Sequence, residues 1–215
     1  MDPKEKLNQV GWLEFHGSLT ENGLISLAKS FGQIQRHPNG AEVFTLKPKV
    51  GLNSTIGTFT DKFGLGRFPL HTDTAFYSKP IRYMILSMNK PSEAFTTILP
   101  IDRLFEKLNQ NDKYLATRAI YKIKTNESSF YTSLIVEKNG IKYIRYDPTC
   151  MFPVNNSARE FEIILNEIFK QVKPENITWN KPKTIIIDNW KVLHGRSCVN
   201  LNEQRELKRI YINEL

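Results

Sequence analysis

Cysteine is almost absent from this sequence. Cys150 and Cys198 are its only thiols, and they lie far apart in the chain. The sequence therefore predicts neither a disulfide framework nor a thiolate zinc site.

Long apolar runs are absent as well. Residues 1–6 are mostly charged and lack the apolar core of a signal peptide, and no later run approaches membrane-spanning length. Neither a linker-like stretch nor an internal repeat divides the 215 residues, a length sufficient for one well-buried core. We therefore expect a single domain over residues 1–215 that resides in the cytoplasm and has no membrane partner.

Motifs typical of nucleic-acid binding, such as a zinc finger or an RRM signature, are also lacking, although the chain is basic. It has 30 Lys and Arg residues against 22 Asp and Glu, giving a net charge of +8 and a pI near 9.4. These charges are scattered along the chain and favour anionic partners through long-range attraction. Without an accompanying motif, nucleic acid is not the expected partner.

Periodic patterns of apolar residues predict a mixture of strands and helices. Residues 11–18 alternate as in a strand, and Thr20 is predicted to cap a helix that Gly32 ends. Asp102 is predicted to cap a second helix, and Ser157, with the glutamate three residues later, a third. Further strands are predicted over 42–46, 81–88, 95–99, 134–137, 141–146 and 184–187, with a hairpin turn at 138–140.

Residues 51–67 are rich in Gly, Ser and Thr and predict a long loop. Long loops in compact domains are usually functional. Because this one leads directly to His71, we expect it to border a functional site. The alternative is a surface loop that Phe59 and Phe63 hold down.

His71 and Asp73 are the first candidate site residues. The sequence around them predicts a strand, in which side chains two residues apart share a face at a spacing of about 7 Å. Non-haem iron oxygenases hold their metal with two histidines and one carboxylate on one face of an octahedron. The triplet alone is also compatible with an aspartate that orients a buried histidine or caps a turn.

Further polar residues follow the last buried strands. The apolar run 184–187 leads to His194, and a final strand is predicted to carry Arg205 and Arg209 on one face. Burying an unpaired guanidinium is costly, whereas a carboxylate satisfies its planar set of donors. Two inward-facing arginines therefore predict an anionic ligand.

Together these motifs resemble the TauD/TfdA-like branch of the Fe(II)- and 2-oxoglutarate-dependent dioxygenases, which includes taurine dioxygenase and clavaminate synthase. The likeness spans most of the chain. It begins with the opening strand and helix at 11–34, includes residues 71–73, and ends with residues 188–196 followed by Arg205 and Arg209.

The resemblance implies a role for each candidate residue. His71, Asp73 and His194 would be the ligands of Fe(II), with no catalytic residue beyond these ligands. Arg205, eleven residues after the distal histidine, would bind the far carboxylate of 2-oxoglutarate. Arg209 would lie near the cosubstrate or bind an anionic group of the substrate.

Four other residues receive expectations from the same resemblance. Thr96 would contact 2-oxoglutarate, although its segment lacks the glycines common in the family. Asn189 and Trp190 are expected to buttress His194, since bonding behind the ligands fixes their orientation. Arg196 is either a surface charge or a substrate contact.

The implied fold is mainly β with flanking helices, a double-stranded β-helix or cupin-like jelly-roll barrel with the site at its open end. The implied cofactors are Fe(II), 2-oxoglutarate as cosubstrate and O₂. The reaction would hydroxylate an unactivated C–H bond and release succinate and CO₂. The substrate would be a small metabolite, anionic, amino-acid-like or tethered to a carrier protein. An oxygenase acting on a nucleic-acid base or a protein side chain, and a non-catalytic binding protein on the same barrel, are the alternatives.

Overall fold

The architecture was determined from a computed structural model, which describes residues 2–48, 59–138, 141–200 and 202–214. The helices are α1 (Pro3–Val10), α2 (Glu21–Phe31), α3 (Phe59–Phe63), α4 (Ile101–Phe105), α5 (Gln110–Arg118) and α6 (Asn156–Gln171). The strands are β1 (Trp12–His16), β2 (Gln33–Gln35), β3 (Phe44–Leu46), β4 (Phe68–His71), β5 (Tyr83–Met88), β6 (Ser92–Pro100), β7 (Ile120–Lys124), β8 (Ser129–Ser133), β9 (Ile135–Lys138), β10 (Ile141–Ile144), β11 (Met151–Pro153), β12 (Glu175–Trp179), β13 (Lys183–Asp188), β14 (Val192–Arg196) and β15 (Leu207–Asn213).

Two antiparallel sheets form the body of the protein. The larger has the strand order β1-β13-β5-β15-β2, with β3 also pairing with β15, and the smaller has the order β12-β6-β14-β4. Strands distant in sequence are neighbours in both sheets, as in a jelly roll. The predicted fold class, a mainly β double-stranded β-helix with flanking helices, is confirmed.

A layer of apolar side chains fills the space between the two sheets. Alternate residues of each strand point inward because successive side chains of a strand face opposite sides. The inner layer consists of Ile81, Met84, Leu86, Met88, Ile98, Ile177, Trp179, Ile185, Ile187, Val192, Leu207 and Tyr211.

The outer face of the larger sheet is covered by α1 and α2. Thr20 caps α2 by accepting a hydrogen bond from the Gly23 backbone N at 3.2 Å, and the helix ends before Gly32, as predicted. Leu24, Ala28 and Phe31 of α2 are buried against the sheet. Within the described residues, none of the helices has the length and apolar character needed to cross a bilayer.

A second helical layer packs α4, α5 and α6 around the small sheet β11-β7-β8. The predicted capping of α6 by Ser157 is wrong. Asn155 caps the helix, accepting a hydrogen bond from Ala158 N at 3.0 Å. The Asn155 side chain also bonds the backbone of Arg118 and Ile120, so contacts distant in sequence fix it at the cap.

Two other local predictions need correction. Asp102 does not cap α4, which begins at Ile101 after Pro100 without a side-chain cap; Asp102 lies in its first turn. The predicted loop 51–67 contains α3 at Phe59–Phe63, while residues 51–58 lie outside the described part of the chain. Strands β9 and β10 pair as the predicted hairpin, whose turn at 139–140 is likewise outside the described residues.

Candidate metal centre

His71, Asp73 and His194 meet at one end of the smaller sheet. His71 is the last residue of β4, and His194 lies directly opposite it in the neighbouring strand β14. The prediction that Asp73 shares a strand with His71 is wrong, because β4 ends at His71. The chain turns there, with Thr74 at a φ of 56°, and this turn brings the Asp73 carboxylate back toward both imidazoles.

The three side chains form a tight, buried cluster. Asp73 Oδ1 lies 3.3 Å from His71 Nε2 and 3.6 Å from His194 Nε2. One potential ligand atom from each residue lies within 4.8 Å of the others, and all three residues are buried. Because the cluster is buried, water does not solvate its polar atoms. The two imidazoles and the carboxylate must therefore pair with one another or with a cation.

The backbone of Asp73 is fixed by Asn189. The Asn189 amide accepts a hydrogen bond from Asp73 N at 2.8 Å and donates to Asp73 O at 3.0 Å and Ile81 O at 2.9 Å. Trp190 Nε1 donates to Pro80 O at 3.1 Å. Asn189 and Trp190 therefore support the segment that follows Asp73 rather than His194, which corrects the expected target of their bonding.

The outer carboxylate oxygen of Asp73 is occupied by two donors from β15. Tyr211 donates its hydroxyl proton to Oδ2 at 2.7 Å, and Arg209 Nη1 donates to the same atom at 3.1 Å. Oδ1 is thus the oxygen that faces the two histidines. The inward face of β15 carries Arg209 and Tyr211, as the alternation predicted, whereas Arg205 lies before the strand begins.

Electrostatics keep this carboxylate charged. Burial alone would raise the pKa of Asp73, but the charge of Arg209 and hydrogen bonds from both histidines hold it well below its usual range. Burial would lower the pKa of His71, yet the bond to Asp73 raises it. Burial and the charge of His71 lower the pKa of His194.

The donor set fits a divalent transition metal. His71 Nδ1 lies 2.9 Å from Pro69 O, so Nδ1 donates its proton there and Nε2 keeps a free lone pair. Two imidazoles and one carboxylate with open positions are the donor set that suits non-haem Fe(II). His71, Asp73 and His194 could therefore hold an iron ion.

Arg205 provides a buried positive charge near Arg196, the last residue of β14. Its residue is 4% exposed, its Nε has no hydrogen-bond partner, and burial lowers its pKa to about 10. Burial and the charge of Arg205 also lower the pKa of Arg196 to about 10, which places the two guanidiniums close together. The carboxylate of Glu203 acts on both guanidiniums and raises their pKa against the effect of burial, while the Nε of Arg205 keeps a donor for an anionic ligand at this end of β14.

Arg196 itself has a structural task. Its Nη2 donates to Gly64 O at 2.9 Å and Gly66 O at 2.8 Å, and its guanidinium lies 3.7 Å from the ring centroid of Phe68. The side chain is half-buried and holds the segment after α3 against β4. The sequence did not predict these bonds, which add a supporting role to the two alternatives, a surface or rim charge and a substrate contact.

Strand register separates Thr96 from Thr97. Thr96 pairs with Arg196 and Ile98 with His194, and Ile98 belongs to the inner layer, so Thr96 faces the interior. Thr96 Oγ1 accepts a hydrogen bond from Trp179 Nε1 at 3.1 Å, which leaves its own proton free to be donated. Thr97 lies opposite Gly195 and faces the other side of the sheet.

Two aromatic contacts of the site were missed by the sequence reasoning. Phe59 of α3 stacks on His71 with ring centroids 3.9 Å apart, so the segment expected to border the site does touch it. The His37 ring packs in a tilted orientation against Tyr211, with ring centroids 4.7 Å apart, and against Phe44, at 5.0 Å. A histidine in an irregular segment between short strands gives no pattern that would have identified it.

Comparisons with known proteins agree with this geometry. The model of the taurine catabolism dioxygenase TauD, TfdA family matches residues 4–211. A relative named 3-((Z)-2-isocyanoethenyl)-1H-indole synthase, from Fischerella ambigua, is 23% identical over 176 residues, which are 70% of this chain and 64% of that protein. The chain thus matches less than two thirds of that relative's length.

Two solved structures share the fold. PvcB, described as an Fe, alpha-ketoglutarate dependent oxygenase from an isonitrile synthetic pathway, has a TM-score of 0.73 at 17% identity, covering 97% of this chain and 78% of PvcB. An asparagine oxygenase in complex with Fe(II), 2S,3S-3-hydroxyasparagine and succinate has a TM-score of 0.77 at 16% identity, covering 98% of this chain and 76% of that one. Since the family model spans nearly the whole chain, the protein belongs to the TauD/TfdA family of dioxygenases, as its motifs predicted.

Proposed function

We propose that this protein is an Fe(II)- and 2-oxoglutarate-dependent dioxygenase that oxidises a C–H bond of a small, amino-acid-like metabolite. The observation that carries the proposal is the convergence of His71, Asp73 and His194 in one buried cluster. Membership of the TauD/TfdA family supports the proposal, under which the protein is an oxidoreductase.

Each site residue has a task in this proposal. His71, Asp73 and His194 hold Fe(II), which with 2-oxoglutarate and O₂ supplies the oxidant, releasing succinate and CO₂. Arg205 binds the far carboxylate of 2-oxoglutarate through its buried guanidinium, which lies near Glu203 and whose Nε has no hydrogen-bond partner. Thr96, facing inward beside Arg196 on the neighbouring strand, donates its hydroxyl proton to the same cosubstrate.

The substrate class follows from charge and from the relatives. Arg209 bonds Asp73 through Nη1, while its Nε is buried without a hydrogen-bond partner, so it can offer a donor to an anionic group of the substrate. The asparagine oxygenase structure contains a hydroxylated amino acid. Both observations are satisfied by an amino acid. It is either free or tethered to a carrier protein through a group other than the one that faces Arg209.

Desaturation is the second candidate outcome. The Fischerella relative is named for a product with an ethenyl group, and PvcB is described as part of an isonitrile pathway. Hydroxylation adds one oxygen atom to the product, whereas desaturation removes two hydrogen atoms. Product mass therefore distinguishes the two outcomes once a substrate is found.

The first experiment is an anaerobic titration of the metal-free protein with Fe(II) and then 2-oxoglutarate. The expected result is the weak visible charge-transfer band of the chelate in the parent protein and its loss in His71→Ala. Succinate release in the presence of candidate amino acids then identifies the substrate. A folded parent protein that develops no band would overturn the proposal in favour of a non-catalytic binding role.

A further inference from the structure

Asp73 is bonded differently at its two oxygens, and this difference carries an inference about Tyr211. Oδ1 lies between the two histidine Nε2 atoms, at 3.3 and 3.6 Å. Oδ2 accepts from the Tyr211 hydroxyl at 2.7 Å and from Arg209 at 3.1 Å. A carboxylate can bind a metal through one oxygen or through both, and here one oxygen is already committed.

The position of Tyr211 is set by the sheet rather than by the site. Tyr211 pairs with Met84 of β5 and with Gln35 of β2, so its backbone is held from both sides. Its ring belongs to the apolar layer between the sheets and packs in a tilted orientation against His37, with ring centroids 4.7 Å apart. The hydroxyl is therefore presented to Asp73 from a rigid element.

We propose that Tyr211 is a positioning residue that holds the Asp73 carboxylate with Oδ1 toward the two histidines, in the orientation needed to bind the metal. The Tyr211 hydroxyl bonds Oδ2, and Oδ1 lies between the histidine Nε2 atoms. Without this bond the carboxylate would lose a restraint on its rotation. This inference rests on the proposed function, because it assumes that the cluster holds Fe(II).

Arg209 alone does not replace this contact. Its bond to Oδ2 is longer, at 3.1 Å, and the same guanidinium is the proposed contact of the substrate. The Tyr211 hydroxyl has one donor proton, and its hydrogen-bond partner in the structure is Asp73. Tyr211 is therefore the donor committed to Asp73, whereas Arg209 is shared between Asp73 and the substrate in the proposed function.

The test is the anaerobic Fe(II) affinity of Tyr211→Phe, measured by competition with a chelator in the absence of 2-oxoglutarate and O₂. Loss of a partner behind a metal ligand typically weakens metal binding about 10- to 100-fold, and we expect a change of that size. The matched control is Tyr121→Phe. That tyrosine is also buried, but its hydroxyl bonds Ala158 O in the helical layer.

The outcomes separate this inference from the proposed function. A parent protein that fails to bind Fe(II) overturns both. A parent that binds Fe(II), with Tyr211→Phe binding it equally well, overturns the role of Tyr211 and leaves the proposed function standing. Thermal unfolding of the metal-free variants shows whether each substitution also lowers stability. A loss of stability alone would not lower the Fe(II) affinity of the folded protein.

A second variant keeps the test decisive if Tyr211→Phe does not fold. Replacing Tyr211 with 4-aminophenylalanine retains the ring and an N–H donor at the same position. We expect this variant to bind Fe(II) within a few-fold of the parent protein. Weak binding by this folded variant would show that the donor is not what Asp73 requires.

Discussion

At the scale of single residues, the site is a set of buried charges, each of which needs a specific partner. Asp73 has its partners within the chain: the two histidines, Arg209 and Tyr211. Arg205 lies near Glu203, but its buried Nε has no hydrogen-bond partner. That donor is available to a ligand from outside the chain.

Arg205→Ala should weaken 2-oxoglutarate binding while leaving Fe(II) binding unchanged. Truncating one partner of a buried charge pair typically costs about 2–5 kcal/mol, or roughly 30-fold or more in affinity. The measurement is the 2-oxoglutarate titration of the anaerobic Fe(II) protein. Arg36→Ala is the control, since Arg36 is exposed and pairs with Glu42 at the surface. Equal affinity in Arg205→Ala and the parent would refute the assignment.

His37 should make the protein sensitive to mild acid. Burial and the charge of Arg209 lower the pKa of His37 to about 4, against 6.5 in an unfolded chain. Between these values the unfolded state binds the proton and the folded state does not, so the free energy of unfolding falls as pH drops from about 6.5 to about 4. The loss from this group is about 3 kcal/mol.

Denaturant unfolding of the metal-free parent and of His37→Phe, at intervals from pH 8 to pH 4.5, measures this effect. The variant keeps an aromatic ring against Tyr211 and Phe44 but has no proton to take up. Its stability should fall less steeply with acidification, and the two slopes should coincide above pH 7. Parallel curves over the whole range would contradict the assignment to His37.

At the scale of elements, the site depends on the close approach of three strands. Gly195 follows His194 in β14, which lies between β4 and β6. A Cβ atom at Gly195 would come within 2.7 Å of Thr97 Oγ1 and 2.8 Å of the Phe68 backbone oxygen. Because the Phe68 oxygen belongs to the strand that carries His71, the strands must separate to admit a methyl group.

Gly195→Ala should therefore reduce both stability and metal affinity. Overpacking of this kind typically costs about 1–3 kcal/mol, and displacement of β4 moves His71 away from His194. Thermal unfolding and the Fe(II) competition assay measure the two effects. Gly23→Ala is the matched control, because the nearest atoms to its Cβ would be side-chain atoms of Leu19 and Thr20, at 3.3 Å or more. An unaltered Fe(II) affinity in Gly195→Ala would show that the strand spacing tolerates the methyl group.

Much of this arrangement could be predicted from the sequence, and the limits have physical causes. Helix α2 was predicted from its apolar periodicity and its caps, which are local properties. The N-terminus of α6 was not, because neighbouring polar residues can all cap a helix, and bonds from Asn155 to the distant Arg118 and Ile120 decide between them. The helix α3 and the short strands β7, β8, β11 and β12 lack a distinctive pattern.

The candidate ligands were predictable because their spacing is a motif, whereas the contacts behind them were not. Tyr211 lies 138 residues from Asp73, and its bond to that carboxylate depends on how β15 is aligned with β5. Asn189 was expected to support the histidine five residues later but bonds Asp73 instead. Contacts of this kind require the register of strands that no local pattern specifies.

At the scale of the whole molecule, the candidate metal centre lies where the two sheets meet, and residues of both sheets take part in it. His71 and His194 belong to the smaller sheet, and Asp73 is bonded to β15 of the larger sheet through Tyr211 and Arg209. A bound ion therefore links the smaller sheet to the larger one. Unfolding separates these ligands, so the unfolded chain offers no comparable site.

Metal binding should consequently raise the stability of the whole protein. A ligand that binds only the folded state contributes about 2.7 kcal/mol at a free concentration of 100 times its dissociation constant. Anaerobic thermal unfolding of the parent with Fe(II) should show this increase, and a chelator should reverse it. His194→Ala lacks one ligand on β14, so its unfolding temperature should respond weakly to the same Fe(II) concentration. An equal response in parent and variant would mean that Fe(II) stabilises the protein from somewhere other than the cluster of His71, Asp73 and His194.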